Sequence, residues 1–233
     1  MKVVFISPCY NASKNIDALV KSIEKQNNDS WELILIDDMS TDNTSSIIKS
    51  LERDNVKAVI NKEKKYALRN IVENARSFED RDDIIIATVD GDDQLCDNNT
   101  VDYLLEEYGK GFEVVWTGHT WDINGMNISK PMPENVDPYA WPWCTSHLRT
   151  FRSDLLKKVP DSNFKDFEGC WFKRGYDQAL MLPILSLTNK RKYIDKICYL
   201  YNINSVSVND RDWAEMSQIS TINLVRSRKF LKQ

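Results

Sequence analysis

Residues 83–93 read DIIIATVDGDD, an apolar run that ends in a cluster of acidic residues. Near-continuous apolar runs are typical of strands buried on both faces of a sheet. Asp90 and Asp92 follow the run two positions apart, so both carboxylates can face one cation, and Mg²⁺ and Mn²⁺ prefer carboxylate oxygens. Gly91 lets the backbone bend and approach a ligand. The stretch predicts a buried strand followed by a metal site; a solvated acidic turn that caps the next helix is the alternative.

Three more strand-like runs precede this one and alternate with amphipathic helical segments. The predicted strands cover residues 2–7, 32–37 and 56–60, and two of the intervening helices cover residues 42–51 and 67–78. Strands joined by helices imply a parallel sheet that is covered on both faces. Ligands of such sheets bind beyond the carboxyl ends of the strands. We therefore expect an α/β fold in which these strand ends converge on one edge.

The second strand ends in two adjacent acids, Asp37 and Asp38. Neighbouring carboxylates repel each other, so the site must compensate or expose them. One carboxylate can accept a hydrogen bond from the imide N–H of a base, and the other can cap the next turn. A plain turn at a helix N-terminus is the alternative. Arg69, after the third strand, offers a fixed fork for a diphosphate or a base carbonyl, although most helix arginines are simply solvated.

The composition excludes several classes of protein. The 233 residues are 42% hydrophobic, which indicates a folded domain. Their net charge of −4 argues against a general nucleic-acid binder, which is usually basic. No apolar run approaches the roughly 18–20 residues of a membrane span. The first of seven glycines is Gly91, so no glycine loop follows the first strand and neither GxGxxG nor a P-loop occurs. The five cysteines form no CxxC pair, which favours reduced thiols and a cytoplasmic location.

The pattern changes in the second half of the chain. Asn124-Gly125 predicts a hairpin that leads from a strand at residues 112–121 to a partner strand. Residues 130–146 are rich in proline and tryptophan and predict an ordered loop over a pocket. The remaining predicted elements are a helix at residues 98–108, helices at residues 153–159 and 177–188, a β-hairpin at residues 192–202 and a closing helix at residues 213–230.

Four ordered segments resemble the family 2 glycosyltransferases of the GT-A fold. They are residues 6–11 (ISPCYN), 34–44 (ILIDDMSTDNT), 67–70 (ALRN) and 87–95 (ATVDGDDQL). The resemblance implies a single Rossmann-like GT-A domain with a mostly parallel central sheet flanked by helices. Its nucleotide-sugar-binding half would be residues 1–97, and its acceptor-binding half with the C-terminal helix would be residues 98–233. One departure is visible, because Lys64, Lys65 and Tyr66 stand where the family often carries a glycine.

The resemblance also implies an activity. A family member moves a sugar from a nucleotide-diphosphate sugar, with uridine diphosphate first among the carriers, to a hydroxyl acceptor such as a glycan or a lipid-linked sugar. The transfer is usually inverting and uses Mn²⁺ or Mg²⁺. Carried over residue by residue, the metal ligands are Asp90 and Asp92. The nucleotide-binding residues are Pro8, Tyr10, Asp37, Asp38, Arg69 and Asp90. Of the two adjacent acids, Asp37 would bind the base and Asp38 would support that turn or the site.

The acceptor hydroxyl must lose a proton as it attacks, so a carboxylate base is expected. The resemblance places this base in the second half near the start of a helix, which selects Asp177; a helix N-cap is the alternative. His147 would touch the diphosphate or the metal, or is a structural histidine. Trp141, Trp143 and Trp171 would stack on a sugar face, or belong to the core.

The last helix ends in basic residues that suggest a peripheral contact with the inner face of a membrane. They are Arg226, Arg228, Lys229 and Lys232. The alternative is a packed helix with basic residues at its C-terminus, where they are favourable. No nucleic-acid partner is expected, and the sequence leaves the oligomeric state open.

Two other functions compete with glycosyl transfer. A sugar nucleotidyltransferase also uses an α/β sheet and metal-binding carboxylates, but it normally has a glycine-rich loop after its first strand, which is missing here. A non-catalytic nucleotide-sugar-binding protein is the second alternative. The presence of Asp90, Asp92 and Asp177 together argues against it.

Overall fold

The computed structural model describes residues 1–203 and 211–232. In this part of the chain a central sheet has the strand order β3-β2-β1-β4-β7-β6-β8-β5. The strands are β1 (Lys2–Cys9), β2 (Trp31–Asp37), β3 (Val56–Ile60), β4 (Ile84–Thr88), β5 (Gln94–Leu95), β6 (Val114–Trp121), β7 (Arg149–Arg152) and β8 (Arg191–Tyr201). The helices are α1 (Ile16–Glu24), α2 (Thr44–Ser50), α3 (Tyr66–Ala75), α4 (Thr100–Gly109), α5 (Tyr176–Ser186) and α6 (Arg211–Arg228). Short 3-10 turns lie at Arg76–Phe78, Ser153–Lys158 and Asp161–Phe164.

Strands β1 to β4 form the parallel half of the sheet that the sequence predicts. Phe5 in the middle of β1 lies opposite Leu33 of β2 and Ala87 of β4, and β3 continues the parallel order beyond β2. Strands β1, β2 and β4 are almost wholly buried, as their apolar runs indicate, whereas the edge strand β3 is buried only at Val56. The prediction of an α/β fold with a mostly parallel sheet flanked by helices is confirmed.

Helices cover both faces of the sheet because neighbouring residues of a strand point to opposite sides. Phe5 packs in the cluster that includes the buried faces of α1, α2 and α4. Val4 and Ile6 pack in the second cluster with α3, α5 and Val225 of α6. Helices α1, α2 and α4 therefore pack on one face of the sheet, and helices α3, α5 and α6 pack on the other.

The strand ends converge on one edge, as expected. The N–H of Asp38 donates to the carbonyl of Cys9 at 2.9 Å, and the N–H of Gly91 donates to the carbonyl of Pro8 at 3.2 Å. The segments that follow β1, β2 and β4 are thereby tied together at the carboxyl edge of the sheet. This edge is where ligands bind in open α/β sheets.

The predicted β-hairpin at residues 192–202 is wrong, because this segment is the single long strand β8. Strand β8 pairs in parallel with β6 and antiparallel with β5. Its register to β6 shifts between Ile194 and Ile197, where a bulge holds Asp195 and Lys196. A bulge leaves residues unpaired and bends the strand. The two polar residues of this bulge therefore resemble a hairpin turn when the sequence is considered without the structure.

The hairpin predicted at Asn124-Gly125 is also wrong in its second strand. The turn itself forms, since the Gly125 N–H donates to the Trp121 carbonyl at 2.9 Å and Gly125 has a φ of 70°. No strand follows within residues 122–148. Strands β7 and β8 already take the two edges of β6, so no edge is left for a hairpin partner.

Helix α6 is held against the rest of the domain by its own basic side chains. Arg226 donates to the side chain of Gln178 and to the carbonyls of Tyr139 and Trp141. Arg228 donates to the carbonyls of Lys165 and Ser162. Across the described ranges, none of the helices combines the length and the apolar character needed to span a bilayer.

Candidate active site

A cavity of about 620 Å³ opens at the carboxyl edge of the sheet. Its walls come from both halves of the chain. The first half contributes Pro8, Tyr10, Asp38, Lys64, Tyr66 and Asp90, and the second contributes His147, Arg149, Lys173, Arg174, Tyr176, Asp177 and Gln218. A second, more polar cavity of about 710 Å³ adjoins it, shares Pro8, Tyr10 and Asp90 with it, and is also lined by Asp92.

The acidic turn after β4 is fixed tightly against β1. A Cβ atom on Gly91 would lie 2.7 Å from Cys9 Sγ and 3.0 Å from the Pro8 carbonyl oxygen. Only a residue without a side chain fits this approach. The N–H of Asp93 donates to the Asp90 carbonyl at 3.0 Å and closes the turn. Gly91 is therefore needed for the close packing of this turn against β1.

Asp90 faces the cavity and is held by two tyrosines. Its carboxylate accepts a very short hydrogen bond from the Tyr176 hydroxyl, and its backbone N–H donates to the Tyr199 hydroxyl at 3.1 Å. The Tyr199 hydroxyl in turn donates to Asp93 at 2.6 Å. Burial, together with Asp90 and Asp92, raises the pKa of Asp93 to about 8. The turn thus keeps its shape through partners from α5 and β8.

Arg149 supplies a buried positive charge at the centre of the cavity wall. It lies on β7 opposite Thr88 of β4, donates to the Thr88 and Tyr176 hydroxyls, and lies 3.7 Å from Asp90 Oδ2. Burial lowers the pKa of Arg149, but Tyr176, Asp90 and Asp177 outweigh burial and raise it above its ordinary value. The guanidinium therefore stays charged and offsets the charge of the two carboxylates.

One group of side chains has the composition of a cation site. Ligand atoms of Asp90, Asp93 and His147 all lie within 4.8 Å of one another. His147 is buried, its ring is stacked on those of Tyr199 and Tyr201, and its Nδ1 has no hydrogen-bond partner among the described residues. Carboxylate and imidazole ligands suit Mn²⁺, so these residues fit a divalent ion.

Asp92 lies at the same turn but on the side of the second cavity. It does not belong to the group formed by Asp90, Asp93 and His147.

The sequence motifs alone assign Asp93 no role of its own. The pairing of Asp93 with Tyr199 and with the N–H of Asn202 depends on β8, which is more than 100 residues away in the chain.

Asp38 anchors the loop in which this chain departs from the family pattern. Its carboxylate accepts the backbone N–H groups of Lys65 and Tyr66 and the side chain of Asn61. Tyr66 has a φ of 62°, a conformation that these bonds help to hold. Burial alone raises the pKa of Asp38, but hydrogen bonds to Lys65 and Asn61 outweigh it and lower the pKa.

Three other residues assigned to nucleotide binding lie in different settings. Tyr10 lines both cavities and is half exposed. Asp37 is buried, accepts the Ser40 N–H at 3.2 Å, and lines neither cavity. Arg69 also lines neither cavity, and its guanidinium is paired with Glu63 and Glu73.

Asp177 faces the cavity from the first turn of α5. The helix begins at Tyr176, after Gly175 in a left-handed conformation with a φ of 61°. A Cβ on Gly175 would lie 3.2 Å from the Gln218 carbonyl of α6, so the close approach of α6 also favours glycine. Burial raises the pKa of Asp177 despite the opposing effect of Arg149, which makes the carboxylate a stronger base.

The three tryptophans assigned to sugar stacking line neither of the two cavities. Trp141, Trp143 and Trp171 are partly buried and pack against the hydrophobic cluster beneath α3 and α5. Trp171 stacks on Phe164 with ring centroids 6.0 Å apart. Their packing explains their presence in the sequence.

Arg149, Tyr176 and Tyr199 are site residues that the sequence motifs do not reveal. Tyr176 directly precedes Asp177, so the motif that indicates Asp177 could also have indicated Tyr176. Arg149 and Tyr199 carry no local signal, because strand pairing brings them to the acidic turn.

Sequence comparison gives one family match and two relatives. Residues 4–180 match the family described as glycosyl transferase family 2. The chain is 27% identical over 232 residues to the glycosyltransferase GlyG of Streptococcus pneumoniae, which covers 90% of this chain and 74% of GlyG. A 51-residue stretch is 41% identical to the putative teichuronic acid biosynthesis glycosyltransferase TuaG of Bacillus subtilis, covering 22% of this chain and 20% of TuaG.

Solved structures share the fold at low sequence identity. S. aureus TarS 1–349 in complex with UDP has a TM-score of 0.68 and 22% identity, over 94% of this chain and 65% of that chain. The mannosyltransferase PcManGT of Pyrobaculum calidifontis, in complex with GDP-Man and Mn²⁺, has a TM-score of 0.64 and 16% identity, over 100% of this chain and 66% of its own. The chain thus spans slightly less than two thirds of each.

Proposed function

Because the chain belongs to glycosyl transferase family 2, we propose that it transfers a sugar from a nucleoside-diphosphate sugar to a hydroxyl group of an acceptor. The observation that carries the proposal is that Asp90 and Asp177, from the two halves of the chain, face one cavity. Tyr176 donates to Asp90 and accepts from Arg149, and the Arg149 guanidinium offsets the charge of both carboxylates. A binding module does not need a second carboxylate in the same cavity.

Asp177 is proposed as the general base of an inverting transfer. Its carboxylate takes the proton from the acceptor hydroxyl while the hydroxyl oxygen attacks the anomeric carbon. The bond from that carbon to the diphosphate oxygen breaks, and the nucleoside diphosphate leaves with the electron pair. The transition state has oxocarbenium character, as in other glycosyl chemistry. The raised pKa of Asp177 favours proton uptake at this position.

A divalent cation is proposed as the cofactor, with Mn²⁺ or Mg²⁺ as candidates. The imidazole of His147, whose buried Nδ1 lacks a partner in the described ranges, and the carboxylates of Asp90 and Asp93 would hold it. Asp92, the ligand proposed from the sequence, would join from the adjoining cavity. A bound cation would supply positive charge that stabilises the departing diphosphate.

The nucleotide end of the cavity is proposed to lie at Pro8, Tyr10 and Asp38. A carboxylate there can accept the imide N–H of a base, and Tyr10 offers an exposed aromatic face. The solved relatives bind UDP, in TarS, and GDP-Man, in PcManGT. We place a uridine diphosphate sugar first, because the resemblance to the family favours that carrier. Asp37 and Arg69 then act by supporting the turn and the loop around this end.

The acceptor is proposed to be a carbohydrate or a lipid-linked sugar. The name of TuaG refers to the synthesis of teichuronic acid, which is consistent with polysaccharide biosynthesis. The halves at residues 1–97 and 98–233 would then serve donor and acceptor within a single domain. Peripheral attachment to the inner face of a membrane stays a prediction, since Arg226 and Arg228 are bonded within the protein.

Donor hydrolysis tests the proposal without knowledge of the acceptor. The purified protein is incubated with UDP-, GDP- and TDP-sugars, each with and without Mn²⁺, and the release of nucleoside diphosphate is measured. We expect cation-dependent hydrolysis of at least one donor, with a uridine diphosphate sugar the best. Failure to bind or hydrolyse any of these donors would contradict the proposal.

A further inference from the structure

Lys64 presents a buried ammonium group at the nucleotide end of the cavity. Its Nζ has no hydrogen-bond acceptor in the part of the chain that the structure describes, and the side chain lines the cavity. The nitrogen lies over the ring of Tyr10 and 3.6 Å from Asp38 Oδ2. An ammonium has three N–H donors, and a buried donor without an acceptor is costly. A ligand atom that accepts a hydrogen bond would remove this cost.

Asp38 beside it keeps room for one more donor. Its Oδ1 accepts two hydrogen bonds, from the side chain of Asn61 and from the backbone N–H of Lys65. Its Oδ2 accepts one hydrogen bond among the described residues, from the N–H of Tyr66. A carboxylate offers about four acceptor positions. The oxygen next to Lys64 is therefore the one with remaining capacity.

We propose that Lys64 reads the base of the donor by donating a hydrogen bond to a base carbonyl oxygen, next to the N–H that Asp38 accepts. The inference rests on the proposed nucleotide-sugar donor and adds a specificity residue to it. Lys64 belongs to the segment in which this chain departs from the family pattern, so the selection would be a property of this chain.

The chemistry of the bases makes the selection specific. Uracil, thymine and guanine each present a ring N–H beside a carbonyl oxygen, which complements an acceptor beside a donor. Cytosine and adenine present the reverse, a ring nitrogen acceptor beside an amino group. In a cytidine nucleotide the amino group would face the Lys64 ammonium and the ring nitrogen would face Asp38. Such mismatched pairs are a strong means of rejection.

Binding of UDP and CDP to Lys64→Met tests the proposal. The two nucleotides differ only in the base edge, and methionine keeps an unbranched apolar side chain without a donor. Titration calorimetry in Mn²⁺ should show UDP bound roughly tenfold or more weakly than by the wild-type protein, the scale of a hydrogen bond to a charged group. The Kd of CDP should stay unchanged or fall. The control is Lys65→Met, because Lys65 pairs with Glu73 outside both cavities, and both Kd values should stay within about twofold of wild type.

Other outcomes would overturn the inference. Equal weakening of UDP and CDP would assign the ammonium to the phosphates, and unchanged or tighter UDP binding would mean that Lys64 does not contact the base. These results leave the proposed function intact, since the wild-type protein still binds a nucleotide. If wild-type protein bound none of UDP, GDP, TDP and CDP, the donor proposal itself would fall. Thermal melting by circular dichroism establishes that each variant is folded.

Discussion

The hydroxyl of Tyr199 joins the two ends of the acidic turn, accepting the N–H of Asp90 at 3.1 Å and donating to Asp93 Oδ2 at 2.6 Å. Tyr199 is fully buried on β8 and lies opposite Leu95 of β5. A strand from the second half of the chain therefore sets the shape of a turn in the first half. The geometry of the proposed cation site at Asp90, Asp93 and His147 depends on this contact across the sheet.

We expect Tyr199→Phe to weaken both the fold and the cation site. The substitution keeps the ring but leaves a buried carboxylate and a buried N–H without this partner, which costs about 1–3 kcal/mol. Urea denaturation measures the loss, and Mn²⁺ titration should show weaker binding. Tyr193→Phe on the same strand is the control. The Tyr193 hydroxyl makes only long contacts of 3.4 and 3.5 Å, so its loss should cost less than about 0.5 kcal/mol. Equal effects of the two substitutions would contradict the role given to Tyr199.

We expect Gly91→Ala to destabilise the protein by about 1–3 kcal/mol, because an added methyl group overpacks the contact with β1. The nearest atom would be Cys9 Sγ at 2.7 Å. Removing that atom should relieve part of the strain, so Gly91→Ala should cost less in a Cys9→Ala background, by about 0.5 kcal/mol or more. Denaturation of the two single variants and the double variant measures this coupling.

Gly109→Ala serves as the control for this prediction. Gly109 lies at the end of α4, and an added Cβ would meet no atom within 4 Å. Alanine is favoured over glycine in a helix, so this variant should be neutral or slightly more stable. Strictly additive effects of Gly91→Ala and Cys9→Ala would show that the sulfur contact is not the source of the cost.

Asp38→Asn should lose stability in a pH-dependent way. The folded-state pKa of Asp38 is lower than the usual value of 3.8, because hydrogen bonds to the carboxylate outweigh burial. The charged form thus stabilises the fold above pH 3.8, and this contribution disappears as the pH falls through the lower folded pKa. At pH 7 we expect a loss of about 1.5–3 kcal/mol, the scale of hydrogen bonds to a charged group.

Denaturation of wild type and Asp38→Asn from pH 7 down to pH 3 measures this dependence. The stability difference should be constant down to about pH 5 and shrink below it. Asp29→Asn, at an exposed position, should change stability by less than about 0.5 kcal/mol throughout. A difference for Asp38→Asn that is independent of pH would mean that the carboxylate charge does not stabilise the loop.

The parallel half of the fold is predictable because its signal is local. Strands β1, β2 and β4 are short apolar runs, and a strand buried on both faces needs no information from its neighbours to be recognised. The acids at the ends of β2 and β4 follow directly from those runs. This local information is enough to place Asp38 and Asp90 at one edge of the sheet.

The second half depends on pairing that no local pattern encodes. Strand β8 contains the polar pair Asp195 and Lys196 at a bulge, so a local pattern divides it into two strands. Arg149 becomes a site residue only because β7 runs antiparallel beside β4, which sets it opposite Thr88. The three tryptophans assigned to the site from the sequence pack against the core instead. Sugar-stacking sites and packed cores use the same residue type, so the sequence does not distinguish them.

Asp177→Asn should lower catalysis without lowering nucleotide affinity. Asparagine keeps the size of the side chain but cannot take a proton, and loss of a general base typically costs about 10²–10⁴-fold in rate. The rate of donor hydrolysis should fall by this factor. The Kd of UDP should stay within about threefold of wild type, because the proposed base faces the acceptor rather than the nucleotide.

Asp17→Asn is the matched control, because Asp17 is the second residue of α1 as Asp177 is the second residue of α5. Both acids interact favourably with a helix N-terminus, but only Asp177 lines the cavity that also holds Asp90 and Arg149. If Asp177 served the helix alone, the two substitutions would lower stability alike and leave hydrolysis unchanged. A loss of hydrolysis confined to Asp177→Asn, with both variants folded, is the result that the base assignment requires. Full turnover by Asp177→Asn would show that another residue is the base.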